Sequence, residues 1–88
     1  MNHHTTSKFW KHYDNLPEAV QELADKNFEL LKIDPSHPSL HFKEISGKEN
    51  LWSARVGDHF RVLAIREEEF YWFWIGSHAA YNQLIKRL

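Results

Sequence analysis

Apolar and polar residues alternate most clearly between Leu51 and Ile65, in the run LWSARVGDHFRVLAI. Trp52, Ala54 and Val56 alternate with Ser53, Arg55 and Gly57, and Phe60, Val62 and Ala64 alternate with Arg61, Leu63 and Ile65. Successive strand side chains point to opposite faces, so each run predicts a strand with two unlike sides. Gly57-Asp58 marks a turn between them. A two-residue loop would pair Arg55 with Phe60 and mix polarity on one face. A three-residue loop, Gly57 to His59, pairs Val56 with Phe60 and Arg55 with Arg61. It gathers Trp52, Ala54, Val56, Phe60, Val62 and Ala64 on one apolar face and Ser53, Arg55 and Arg61 on the other. A one-residue slip would reverse every side chain, which selects the second register.

The rest of the pattern predicts helices and turns. Phe9, Trp10 and Tyr13 form an aromatic stripe on a short helix over residues 7–15. Pro17 suits a first helical position. Val20, Ala24, Phe28 and Leu31, widened by Leu23 and Leu30, make the seam of a helix running to Ile33. Asp34-Pro35 stops it, because a residue before proline leaves the helical region. A strand is expected around Leu40–Ile45, with His41 and Lys43 on its polar side. Polar turns fall at residues 46–50 and 67–69. Phe70–Gly76, FYWFWIG, is apolar on both alternations, which predicts a central strand covered on both faces. Ser77 is a plausible N-cap for a last helix over 78–88, with His78 and Tyr81 three apart on its first turn. Residues 1–6 fit a short edge strand or disorder. The sum is an α+β fold in one domain, residues 1–88: an N-terminal helical hairpin packed on a small antiparallel sheet, with a short C-terminal helix.

Composition narrows the chemistry. With 88 residues, 42% hydrophobic, the chain is one small globular domain. It has no cysteine, hence no disulfide or thiolate metal site. No run has the length of a membrane span, and MNHHTTSKFW has no signal-peptide core, so a cytoplasmic protein is expected. Net charge is −1, which argues against a general nucleic-acid binder. The charge is uneven, however: residues 41–88 hold seven Lys/Arg against six Asp/Glu, three of the acids being Glu67, Glu68 and Glu69 in one turn. No metal is expected. A solvated terminus accounts for His3 and His4, and Pro38 stands between His37 and His41, which removes the helical spacing that could bring them to one ion. The opposed Arg55 and Arg61 are different. Like charges directly opposite in a sheet are destabilising. Either carboxylates pair with them, or their stems cover apolar surface, or the face awaits an anion such as phosphate.

Four stretches in order resemble one family: LP…V…A…F at the long helix, DP-x-HPSLHFK, W-S-x-R-V-G-x-x-x-R, and W-I-G-S-H-x-x-Y. From about Phe9 to Leu84 the chain is similar to the RelE/ParE superfamily of bacterial toxins, the toxin halves of type II toxin–antitoxin pairs. The resemblance implies the fold given above and an endoribonuclease that cuts mRNA on the ribosome, without metal or cofactor, by attack of the ribose 2′-OH. It places Arg61 and Arg55 at basic catalytic positions. His78 falls where YafQ-like toxins carry a catalytic histidine and RelE an arginine, and Tyr81 is nearest to a contributing C-terminal tyrosine. Lys43, His41, His59 and Ser53 are expected to bind RNA, Ser53 standing where RelE has a lysine. A cognate antitoxin protein is the implied partner. The ParE branch shares the fold but poisons DNA gyrase, which is the alternative activity.

Overall fold

The computed structural model describes residues 2–88. The chain runs β1 (His3–Thr5), α1 (Ser7–Asp14), α2 (Glu18–Ile33), β2 (Lys43–Glu44), β3 (Leu51–Val56), β4 (Phe60–Arg66), β5 (Phe70–Ser77) and α3 (His78–Arg87). The strands form one sheet in the order β1-β5-β4-β3-β2. The expected three-residue turn is present, with Val56 opposite Phe60 and Arg55 opposite Arg61. Gly57 turns at φ 65°, and Asn27 Nδ2 of α2 donates to the Arg55 carbonyl at 3.2 Å, tying the helix to β3 beside the turn.

The core lies between the helical hairpin and the apolar sheet face. Ala54, Val56, Ala64, Phe70, Trp72 and Ile75 are buried there with Phe9, Ala24, Leu31 and Leu40. Tyr13 Oη donates to Asp25 Oδ1 at 2.9 Å and so clasps α1 to α2. The seal is incomplete: a mostly apolar cavity of about 260 Å³ remains, bordered by Phe9, Tyr13, Phe28, Ala54 and Ile75.

Four expectations need correction. First, the sheet is mixed, because β1 pairs with β5 in parallel. Phe70 N–H donates to the Asn2 carbonyl, and Thr6 N–H to the Trp72 carbonyl, so the N-terminal segment is an edge strand as far as it is described; Met1 lies outside the described residues. His3 is not a solvated residue. It sits half-buried against Phe28, Phe42, Phe70 and Trp72, and its Nδ1 accepts from Trp72 Nε1 at 3.1 Å. His4 pairs with Glu69 at 2.7 Å.

Second, the strand expected over Leu40–Ile45 shrinks to Lys43–Glu44. Residues Pro38–Leu40 form a 3-10 turn instead, capped by His37 Nδ1, and His41 leaves it at φ 44°. The turn drives Leu40 into the core at 1% exposure, a burial that an extended chain would have to forgo. Third, Pro17 caps α2 from outside the helix, with extended backbone at ψ 147°. Fourth, β5 is interior but β4 is central, and β5 is not covered equally on both faces. A bulge inserts Phe73, so that Leu63 faces Trp74 while Ala64 faces Trp72. One extra residue reverses the alternation. Trp72 and Ile75 therefore both reach the core, while Tyr71 is exposed and Phe73 and Trp74 are half-buried.

Candidate nucleic-acid interface and active site

The sheet face away from the core is built in rows. One row runs Arg55, Arg61, Gly76 across β3, β4 and β5, and the next runs Lys43, Ser53, Leu63, Trp74 across β2 to β5. Neighbouring strands lie about 4.8 Å apart, so the two arginine backbones are as close as a sheet allows.

Among the described residues, neither Arg55 nor Arg61 has a carboxylate within ion-pair distance. Arg61 turns back over the β3–β4 loop instead. Its Nη1 donates to the carbonyl of Phe60 at 2.8 Å, and more weakly to those of Asp58 and Gly57 at 3.3 and 3.4 Å. Burial and the adjacent Arg55 cation hold its pKa below the usual arginine value, partly opposed by Tyr81 and Asp58. The guanidinium remains a cation at any ordinary pH and keeps donors on Nε and Nη2.

α3 brings the remaining groups. Ser77 caps it, its Oγ accepting from Ala80 N–H at 3.1 Å. The His78 N–H donates to the His59 carbonyl at 2.8 Å, so the helix start is anchored to the loop that Arg61 covers. The His78 ring is exposed and stacks on half-buried Tyr81, with centroids 6.2 Å apart and planes at 16°. Arg55, Arg61, His59, His78 and Tyr81 thus converge at one end of the sheet. Lys43 lies on the same face but farther out, opposite Ser53. Ser53 is 6% exposed, so its hydroxyl is not presented at the surface, and His41 is exposed on the connector, outside the sheet ladder. The arrangement offers fixed cations, a titratable imidazole and a phenol at one edge, which is chemistry suited to a phosphodiester.

Sequence reading missed a further part of this edge. Trp74 lies along β5 with its six-membered ring above Gly76, the residue opposite Arg61. A Cβ placed on Gly76 would meet Trp74 Cζ2 at 2.6 Å. His12 of α1 lies on another side of the indole, 6.1 Å between centroids. The available signal was Gly76 itself, since glycine inside a strand marks close approach by another group.

Among the described residues no cluster of three or more His, Asp or Glu could hold a metal ion, and no helix is long and apolar enough to cross a membrane. A search of curated protein sequences gives no match. Solved structures do match. A chain of the RelB–RelE antitoxin–toxin complex of Methanococcus jannaschii is 16% identical, with TM-score 0.73 over 92% of this chain and 96% of that one. YafQ of E. coli is 13% identical, with TM-score 0.71 over 91% and 96%. The isolated RelE toxin of E. coli is 13% identical, with TM-score 0.63 over 97% and 95%. These likenesses establish the fold. The family model of the ParE-like toxin domain matches residues 18–83, three quarters of the chain from α2 through most of α3, and the chain therefore belongs to that family, within the RelE/ParE superfamily of toxin–antitoxin toxins.

Proposed function

We propose that this toxin is an endoribonuclease that cuts mRNA on the ribosome and is restrained by a cognate antitoxin. The observation that carries this reading is the pair of opposed arginines with, among the described residues, no carboxylate within ion-pair distance, next to an exposed histidine at a helix start. In the reaction, His78 takes the proton of a ribose 2′-OH as its oxygen bonds to the adjacent phosphorus. The bond from phosphorus to the 5′ oxygen breaks, and that oxygen takes a proton from solvent water and leaves as a hydroxyl, while the proton held by His78 returns to solvent. A 2′,3′-cyclic phosphate remains. Arg61, through Nε and Nη2, and Arg55 stabilise the charge that accumulates on the non-bridging oxygens. Tyr81 holds the imidazole by stacking. Lys43 extends the cationic approach for RNA, with His59 and His41 as polar contacts, whereas buried Ser53 does not reach it. The antitoxin partner is supported by the M. jannaschii relative, which is found in an antitoxin–toxin complex.

A second reading rests on its own observation. Arg61 already serves the loop carbonyls, and a purely structural arginine at that place would suit a ParE-type gyrase inhibitor. Primer extension on translated mRNA separates the two. Discrete cuts within the reading frame, lost in both Arg61→Ala and His78→Ala while each variant stays folded, are expected. Intact mRNA with induced DNA breaks would give the answer to the gyrase reading.

A further inference from the structure

We propose that Trp74 is the platform on which a base of single-stranded RNA stacks while the neighbouring phosphate is held by Arg61 and Arg55. The inference rests on the ribonuclease reading and adds to it the residue that positions the substrate. Four observations support it. Trp74 is large, aromatic and half-buried, yet it stands outside the core cluster, on the arginine face of the sheet. Its indole extends toward the arginine row, because Gly76 leaves the space above β5 that any Cβ would fill. Gly76 is the direct partner of Arg61, so the backbone beneath the ring and that of Arg61 are about one strand spacing, roughly 4.8 Å, apart. α3, which carries His78 and Tyr81, begins two residues after Gly76.

The chemistry calls for such a group. Attack by a 2′-OH needs the ribose and phosphate held in line, and arginines alone grip phosphate without fixing the sugar. Single-stranded RNA is commonly fixed by stacking a base on an aromatic face, which works with every base because each has a π-face. A tryptophan in the row next to two arginines that, among the described residues, have no ion-pair partner provides a base site and a phosphate site in adjacent rows. A floor residue that only covered Leu63 would need bulk there, but not the gap above Gly76, the partner of Arg61, into which the ring extends.

Two measurements test this. The first is cleavage of a defined mRNA in a purified translation system. Trp74→Ala should lower kcat/KM about tenfold, the size of one lost base stack, with the loss shared between KM, for the missing stack, and kcat, for the missing in-line alignment, and Trp74→Phe should restore much of both. Gly76→Ala, which pushes the indole aside, should resemble Trp74→Ala. The second is fluorescence titration with a single-stranded oligoribonucleotide made uncleavable by 2′-deoxy substitution. Quenching of the wild type that is lost in Trp74→Phe, a variant that keeps the ring volume near native, is expected. Wild-type cleavage matched by Trp74→Ala, or quenching unchanged in Trp74→Phe, would overturn the platform and leave the ribonuclease reading intact. Absence of any cleavage by the wild type would overturn the ribonuclease reading, while the titration would still decide whether Trp74 receives a base.

Discussion

At the scale of single residues, His3 shows how much depends on one proton. Its Nδ1 accepts from Trp72 Nε1, so the ring is bound as the neutral form with a lone pair on that nitrogen. Burial pushes its pKa below the ordinary histidine value of 6.5, with help from nearby positive charge, His4 and Lys32 among it. A folded-state value below the unfolded one means that the unfolded chain binds protons more readily. The contribution of His3 is therefore fully present above pH 6.5 and is lost as pH falls through the depressed folded value. Urea midpoints measured from pH 7.5 down to pH 5 should decline for the wild type. His3→Phe should start lower, by about 1 kcal/mol for the stranded Trp72 donor, and should decline less steeply. Parallel pH curves for the two proteins would remove His3 as the cause. None of this was legible in MNHH, because the aromatic box that receives His3 is assembled from residues 28, 42, 70 and 72. The arginines were legible, because the polarity of two adjacent strands chooses their register without outside information.

At the scale of elements, the hairpin of β3 and β4 carries the site, and its loop is the point of greatest sensitivity. Gly57 has φ 65°, a conformation costing roughly 1–2 kcal/mol for a residue with a Cβ. A Cβ there would also meet Leu23 Cδ2 at 2.8 Å. Gly57→Ala should therefore lower stability by at least about 1 kcal/mol and disturb the carbonyls that Arg61 covers, so that activity falls even where the protein remains folded. Thermal unfolding and mRNA cleavage on the same preparations would check this, and a native melting temperature would contradict it. Ser77 offers a milder test at the other side of the site. Ser77→Ala removes the α3 cap, which should cost about 1 kcal/mol and loosen the start of the helix at His78. Strands β3, β4 and β5, the two helices of the hairpin and the C-terminal helix follow from periodicity and turn signals. The exceptions have local causes. The bulge at Phe73 reverses the alternation within a run already apolar throughout, so no polar residue marked the shift. Leu40 draws its segment into a 3-10 turn through a core contact remote in sequence. Trp74 and Gly76 escaped notice for the same reason as the bulge: the β4–β5 register could not be read from a strand without a polar face.

For the whole molecule, the uneven charge and the open apolar pocket both bear on the partner. The net charge is −1, yet the end of the sheet that holds Arg55, Arg61, His59 and His78 has Asp58 as its near acid, while Glu67, Glu68 and Glu69 occupy the opposite turn. Glu67 lies six positions after Arg61 at the far end of β4, roughly 20 Å at strand rise, which is well beyond the screening length of about 8 Å at physiological salt. A partner approaching the basic end therefore meets a positive field that the acidic end does not cancel. An antitoxin segment carrying Asp or Glu should associate quickly at low salt and more slowly as salt rises, with a much smaller change in dissociation, because steering acts mainly on the encounter. The cavity under the helical hairpin has the converse implication. An 88-residue chain buries a modest fraction of its surface, and a mostly apolar pocket of about 260 Å³, partly open to solvent, leaves apolar surface uncovered. A partner that binds only the folded toxin should therefore raise its melting temperature in a concentration-dependent way. Stopped-flow association from 50 to 500 mM salt, together with melting curves of the free and bound toxin, would measure both effects. Arg55→Ala should flatten the salt dependence of association and leave the apolar part of the affinity in place. An association rate indifferent to salt in the wild type would mean that the arginine face is not where the antitoxin arrives.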